Sequence, residues 1–278
     1  MEFVFNDKHF FSESPVVMGI LNLTTDSFFD GGSYLTEEKW ILRTKEMRDQ
    51  GAAIIDIGAL STRPGASEIS EQEEINRLLK PIKTLVELFP EMIISVDTYR
   101  QRVAEKCLEI GACIVNDISG GQFDSKMLDF IGENKIPYIL THTKGTPATM
   151  QRDPIEKNCS RMVLEFFEQQ TEKLLLRYGA QQIILDPGFG FGKTLEANYE
   201  LLGKLASLRI HNFPILVGVS RKSMIYKLLQ TTPDEALNGT TTINTISLLN
   251  GADILRVHDV KQAVETLKLY QTYTKANQ

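Results

Sequence analysis

At 278 residues, with 42% hydrophobic and 24% charged side chains, the chain has an ordinary globular composition and the length of one large α/β domain. A formal net charge of −6 argues against a nucleic-acid partner, which needs a basic face, but not against a small anionic substrate, which responds to local charge. Cys107, Cys113 and Cys159 form no C-x-x-C pair and read as reduced, packed thiols of a cytoplasmic protein. The N-terminal stretch lacks a basic n-region, and no apolar run approaches the ~20 residues that span a bilayer, so neither a leader nor a membrane partner is expected.

FVF and HFF, joined by Asn6-Asp7, predict a hairpin that plugs the bottom of a barrel. Eight short apolar runs follow, each ending in a polar or small residue. VVMGIL runs into Asn22, AIIDIG ends at Gly58, MIISV runs into Asp97, ACIV into Asn116, PYIL leads to His142 and IIL runs into Asp186. PILVGV, which contains Gly218, runs into Ser220-Arg221-Lys222, and ADIL into Arg256 and His258. Such runs, separated by helix-length polar stretches, read as parallel strands buried on both faces.

Helical patterns occupy about 37–50, 70–88, 100–110, 124–133, 155–178, 196–208, 221–230, 235–250 and 259–274, two of them between the seventh and eighth strands. The pattern is that of a (β/α)8 TIM barrel with an N-terminal hairpin, one domain over 1–278. The first two strand-to-helix loops, TTDSFFDGGSYL and ALSTRPGASEIS, are long and Gly-bearing, which marks either lids or disordered surface; both lie on the proposed active-site rim, and lids are favoured.

In such a barrel the strand ends form the active site. Asp97, Asn116 and Asp186 suit a flat heterocycle that presents N–H donors and a carbonyl, although Asp97 could equally cap the next helix. Arg256 and His258 alternate on one face and, with Arg63, make an anion site; alternatively Arg256 pairs with an acid of the sixth strand and His258 caps the last helix. Asn22 offers a neutral oxygen suited to Mg2+ held through substrate phosphates and water. Lys222 stands at a helix N-terminus, able to reach a substrate acceptor. DPGFGFGKT fails both nucleotide-loop patterns, because Pro187 and Lys193 stand where glycines are needed; its glycines shape a tight loop, with Phe191 as an apolar wall. His142 reads as a pocket or core histidine.

The motifs GILNLTTDSFFDGG, DIGALSTRPGAS, VDTYR, VNDISGG, GTPATMQ, ILDPGFGFGKT, VGVSRKS and ILRVHDV together resemble the bacterial dihydropteroate synthases, from about Val16 to Val260. The resemblance implies a homodimeric barrel of folate biosynthesis that joins 6-hydroxymethyl-7,8-dihydropterin diphosphate to 4-aminobenzoate with Mg2+ present, and a target of sulfonamides. It assigns Asp97, Asn116, Asp186 and Lys222 to the pterin, and Arg256, His258 and Thr62 to the diphosphate side. Asn22 falls to Mg2+, and Phe28, Pro64, Phe191, Gly218 and Ser223 to the substrate pocket. Asp26 and Arg63, with Lys222, Arg256 and His258, are the implied catalytic set. The chain departs from the family pattern at Thr25, at Ala59-Leu60 and at Thr141 and Thr143. A methyltetrahydrofolate-dependent methyltransferase barrel is the rival enzyme, disfavoured by the diphosphate-type residues; a non-catalytic pterin-binding paralogue is the other alternative.

Overall fold

The computed structural model describes residues 1–23, 37–60 and 69–277. Strands β1 (Glu2–Phe5) and β2 (Lys8–Phe11) form an antiparallel hairpin whose turn places Asn6 at φ 49°. Eight parallel strands follow: β3 (Val16–Asn22), β4 (Ile54–Gly58), β5 (Ile93–Asp97), β6 (Ile114–Asp117), β7 (Tyr138–Thr141), β8 (Ile183–Asp186), β9 (Leu216–Val217) and β10 (Ile254–Val257). They pair in the order β8-β7-β6-β5-β4-β3-β10-β9. The ring closes where Leu185 bridges to Ile215 and donates its N–H to the Pro214 carbonyl at 2.8 Å.

Alternation along these strands divides the apolar side chains into two cores. Val16, Met18, Ile54, Ile93, Ile114, Ile139, Ile184, Leu216 and Ile254 fill the interior, where Phe3 of β1 packs against them. Val17, Leu21, Ile55, Ile57, Ile94, Val96, Leu140, Leu185 and Leu255 face outward to the helices. Phe3 stacks on Phe10 with centroids 6.0 Å apart, and the Gln182 side chain clasps the Val4 backbone at 2.6 and 2.8 Å. The hairpin therefore closes the N-terminal end of the barrel, as its sequence predicts.

Helices α1 (Glu37–Asp49), α2 (Glu71–Leu88), α3 (Gln101–Glu109), α4 (Met127–Asn134), α5 (Cys159–Tyr178), α6 (Leu195–Gly203), α7 (Ser223–Tyr226), α8 (Leu237–Leu249) and α9 (Val260–Ala276) surround the strands. Ser70 caps α2 by accepting the Glu73 N–H, and Thr194 caps α6 by accepting that of Ala197. Three expectations shift. The pattern over 196–208 is broken into α6 and a 3-10 turn at Leu205–Leu208. That over 221–230 contracts to the four residues of α7, preceded by Arg221 at φ 56°. Helix α5 starts at Cys159, where Glu200 accepts the Cys159 and Ser160 N–H groups from another helix, a partner invisible to local pattern.

Candidate active site

The parity that sends Ile54, Ile93, Ile114, Ile184 and Ile254 inward also sends Asp56, Asp97, Asn116, Asp186 and Arg256 inward, toward the C-terminal mouth. Asp56 sits at the centre of this set. Its Oδ2 accepts Arg256 Nε at 2.6 Å and Asn116 Nδ2 at 2.9 Å. Arg256 Nη2 donates to Asp97 Oδ2 at 2.7 Å. One guanidinium thus ties two carboxylates and, through Asp56, an amide. Burial raises the Asp97 carboxyl to about 7, against the pull of Arg256 and with help from Asp56.

The sequence reading placed Arg256 on the anion side, or opposite an acid of the sixth strand. Its Nε and Nη2 are held by acids of β4 and β5 rather than by Asp186 of the sixth strand, because β4 and β10 both neighbour β3. Nor does Asp97 cap a helix: α3 begins at Gln101, whose N–H goes to Asp124 Oδ2 at 2.8 Å. His258 follows β10, with Nδ1 3.1 Å from Ser220 Oγ, and that hydroxyl also accepts the His258 N–H at 3.2 Å.

Asp186 ends β8, and its Oδ1 accepts the Gly188 N–H at 2.8 Å. Burial raises its carboxyl, opposed chiefly by Lys222. Lys222 Nζ donates to the Phe189 carbonyl at 2.6 Å and lies 4.6 Å from the Phe191 ring centroid. Burial lowers its ammonium to about 8, against the stabilising charge of Asp186. The loop after β8 needs glycine: Gly188 has φ +68°, and a Cβ there would lie 1.9 Å from the His142 carbonyl oxygen.

His142 is a buried histidine, edge-on to Phe166 at 5.1 Å, with Nδ1 2.9 Å from Lys193 Nζ. Burial and that ammonium push its imidazole down to about 2. Thr141 and Thr143 beside it are buried too. Half-buried Asn22 ends β3 next to Gly58 in register, on the inward parity of Met18. Ser223 opens α7, and Gly218 lies beside the Arg256 stem, where a Cβ would make an ordinary contact at 3.9 Å. Asp26, Phe28, Thr62, Arg63 and Pro64, like Thr25, lie outside the described residues. Among the described residues, no cluster of three or more His, Cys, Asp or Glu could hold a metal.

Residues 18–258 match the family described as pterin binding enzymes. The dihydropteroate synthase of Escherichia coli (strain K12) is 40% identical over 265 residues, covering 95% of this chain and 93% of its own length. The chain belongs to the dihydropteroate synthases. The Yersinia pestis dihydropteroate synthase, crystallised in a sulfonamide drug complex, superposes with a TM-score of 0.92 at 37% identity, over 99% of this chain and 100% of that one. A second dihydropteroate synthase structure, from Xanthomonas albilineans with 4-aminobenzoic acid, gives 0.89 at 30% identity over 98% of both chains.

For a dihydropteroate synthase, the described rim is notable for two groups that the sequence reading passed over. Asp56 lies inside IIDIG, and attention to run ends skipped it; counting inward from Ile54 would have found it. Lys193 was read only as a failed nucleotide-loop position, and its contacts reach back to a residue 51 positions earlier in the chain.

Proposed function

We propose that the chain is one pterin-binding domain that condenses 6-hydroxymethyl-7,8-dihydropterin diphosphate with 4-aminobenzoate, giving 7,8-dihydropteroate and diphosphate. The observation that carries this is the Asp56–Arg256–Asp97 cluster with Asn116 on one side and Asp186 beside Lys222 on the other. Such a rim matches a flat ring with N–H donors on one edge and acceptors on another. The acceptor amine is supported by the Xanthomonas albilineans relative solved with 4-aminobenzoic acid.

The bond between the exocyclic carbon and the diphosphate oxygen breaks, the arylamine nitrogen bonds to that carbon, and the amine sheds one proton afterwards. Asp97, Asn116, Asp186 and Lys222 hold the ring. The carboxylates also favour the positive charge that the ring carries while the diphosphate departs. His258, Thr62 and Arg63 meet the leaving group, with Arg256 fixing the floor between the two sides. Phe28, Pro64, Phe191, Gly218 and Ser223 shape the aminobenzoate end, and Asp26 and Arg63 exclude water from the reacting carbon. Asn22, a lone amide oxygen at the mouth, fits Mg2+ held mainly by diphosphate oxygens and water. When bound, that ion offsets charge on the diphosphate.

We further infer a cytoplasmic homodimer. Among the described residues no helix is long and apolar enough to cross a membrane. Exposed Ile246, Leu249, Leu269 and Tyr273 on the packed α8–α9 pair support self-association.

The test is diphosphate release from dihydropterin diphosphate and Mg2+, with and without 4-aminobenzoate. Release that requires aminobenzoate, with dihydropteroate as product, is expected. Pterin binding without release would replace this reading with that of a silent paralogue.

A further inference from the structure

Lys193 is 5% exposed, and among the described residues the hydrogen-bond partners of its ammonium are all neutral, with Asp186 acting on it as a nearby charge. Its Nζ donates to the Gly188 carbonyl at 2.8 Å, the Phe191 carbonyl at 3.2 Å and the His142 carbonyl at 3.3 Å, and lies 2.9 Å from His142 Nδ1. A buried lysine with no hydrogen-bonded carboxylate is costly to keep, so its geometry asks for an explanation beyond packing.

The loop it holds has little structure of its own. Gly188, Gly190 and Gly192 all have positive φ, and within the loop only the Phe191 N–H returns to the Gly188 carbonyl, at 3.1 Å. Its other ties are made from outside: Asn198 Oδ1 accepts the Gly190 N–H at 2.7 Å, Gln151 Nε2 donates to the Gly190 carbonyl at 3.1 Å, Asp186 Oδ1 accepts the Gly188 N–H at 2.8 Å, the Ile155 N–H donates to the Gly192 carbonyl at 2.8 Å, and Lys193 grips both ends. Between those ends lie the Phe189 carbonyl, which accepts from Lys222, and the Phe191 ring beneath the same ammonium. His142, the far anchor, donates its own N–H to the Asp186 carbonyl at 3.0 Å. One side chain thus joins the end of β7, the end of β8 and the loop that carries the Lys222 contacts.

We propose that Lys193 is a positioning residue for the synthase reaction: by cross-linking His142 to the Gly188–Phe191 loop it fixes Lys222 and the Phe191 wall against the substrates. This rests on the assignment of Lys222 and Phe191 to those substrates made above. Lys193 does not touch the reacting atoms. The neutral imidazole of His142 suits the role, because it accepts from the lysine at every working pH. Burial lowers the Lys193 ammonium to about 7, which marks how tightly the site is closed around it.

The test compares Lys193→Met and Lys193→Ala with the natural chain in steady-state turnover, pterin diphosphate binding and thermal unfolding. Methionine keeps the volume and removes the donors. The expected result is a loss of about 10- to 100-fold in kcat, with a raised KM for 4-aminobenzoate and weaker pterin binding, since Lys222 is among the groups that hold the ring. Ethylammonium is expected to restore part of the kcat of Lys193→Ala well below its Tm. A lowered Tm with natural kcat and KM in the folded fraction would overturn the proposal, as would an amine-insensitive, uniform loss that follows the folded fraction. If neither lysine variant folds, His142→Leu decides: it leaves the lysine and removes one acceptor, and natural turnover in it overturns the proposal. Aminobenzoate-dependent release by the natural chain is measured in the same assay, so failure of the synthase reading shows there and not in the variants.

Discussion

Asp56 and Arg256 meet at 2.6 Å across the inner face of β3, from positions 200 residues apart in the chain. The Asp56 side chain is buried and that of Arg256 nearly so, and the same Asp56 oxygen also orients Asn116. Neutralising Asp56 leaves Arg256 with Asp97 as its remaining carboxylate partner, so part of the compensation for its charge is lost. Asp56→Asn is therefore expected to cost about 2 kcal/mol of stability and to weaken pterin binding by loosening Arg256 and Asn116. Urea unfolding and calorimetric pterin titration check both effects; unchanged pterin affinity would remove Asp56 from the site.

Asp97 has its carboxyl raised to about 7, so below that pH it loses an acceptor oxygen, which on the proposed assignment faces the pterin N–H groups. Pterin binding is expected to weaken progressively as pH falls through 7, and the dependence should vanish in Asp97→Asn. The stability sign is opposite. A carboxyl that binds its proton more tightly folded than unfolded makes the fold less stable as pH rises from about 4 to about 7. Binding and unfolding measured over the same buffers should therefore move in contrary directions.

Lys222 at about 8 gives the alkaline counterpart. Loss of its proton removes the charge opposite Asp186, so turnover is expected to fall above pH 8. Lys222→Met is expected to lower kcat by about 10²–10³, as for removal of one preorganised donor. Its remaining activity should lack that alkaline limb in a pH–rate profile.

Gly188→Ala tests the backbone. The residue has φ +68°, and a Cβ would meet the His142 carbonyl oxygen at 1.9 Å. Loss of at least about 2 kcal/mol is expected, with turnover reduced because Asp186 and Lys222 both depend on this loop. Thermal unfolding and kcat report the two losses separately.

Phe3→Ala acts at the opposite end of the barrel. Phe3 is 5% exposed and belongs to the interior apolar cluster with Ile54, Ile93 and Ile254, at the hairpin end of the barrel. A loss of about 3 kcal/mol in stability with kcat unchanged in the folded enzyme is expected, measured by urea midpoint and initial rate. This follows the general division of such barrels into a stabilising face and a reactive one.

Much of this arrangement was legible because alternation and strand ends are local. Asn22, Asp97, Asn116, Asp186 and Arg256 could be placed on one rim from their apolar runs alone, and the hairpin from Asn6-Asp7. Pairing was not legible. Arg256 could have faced the acid at the end of β8, and only the neighbourhood of β4, β3 and β10 decides that it faces Asp56 and Asp97. Lys193 was missed for the same reason, since its acceptors include a histidine on the preceding strand's end. The early start of the pattern at 155 failed because the true N-terminus of α5 is capped by Glu200, from α6.

The 200-residue span between Asp56 and Arg256 also bears on how the protein is made. Asp56 and Asp97 stand on neighbouring strands, and the guanidinium that lies against both belongs to β10, the last strand of the chain. Synthesis of the earlier strands therefore precedes any charge compensation of this pair, and closing the ring and neutralising its mouth are one event.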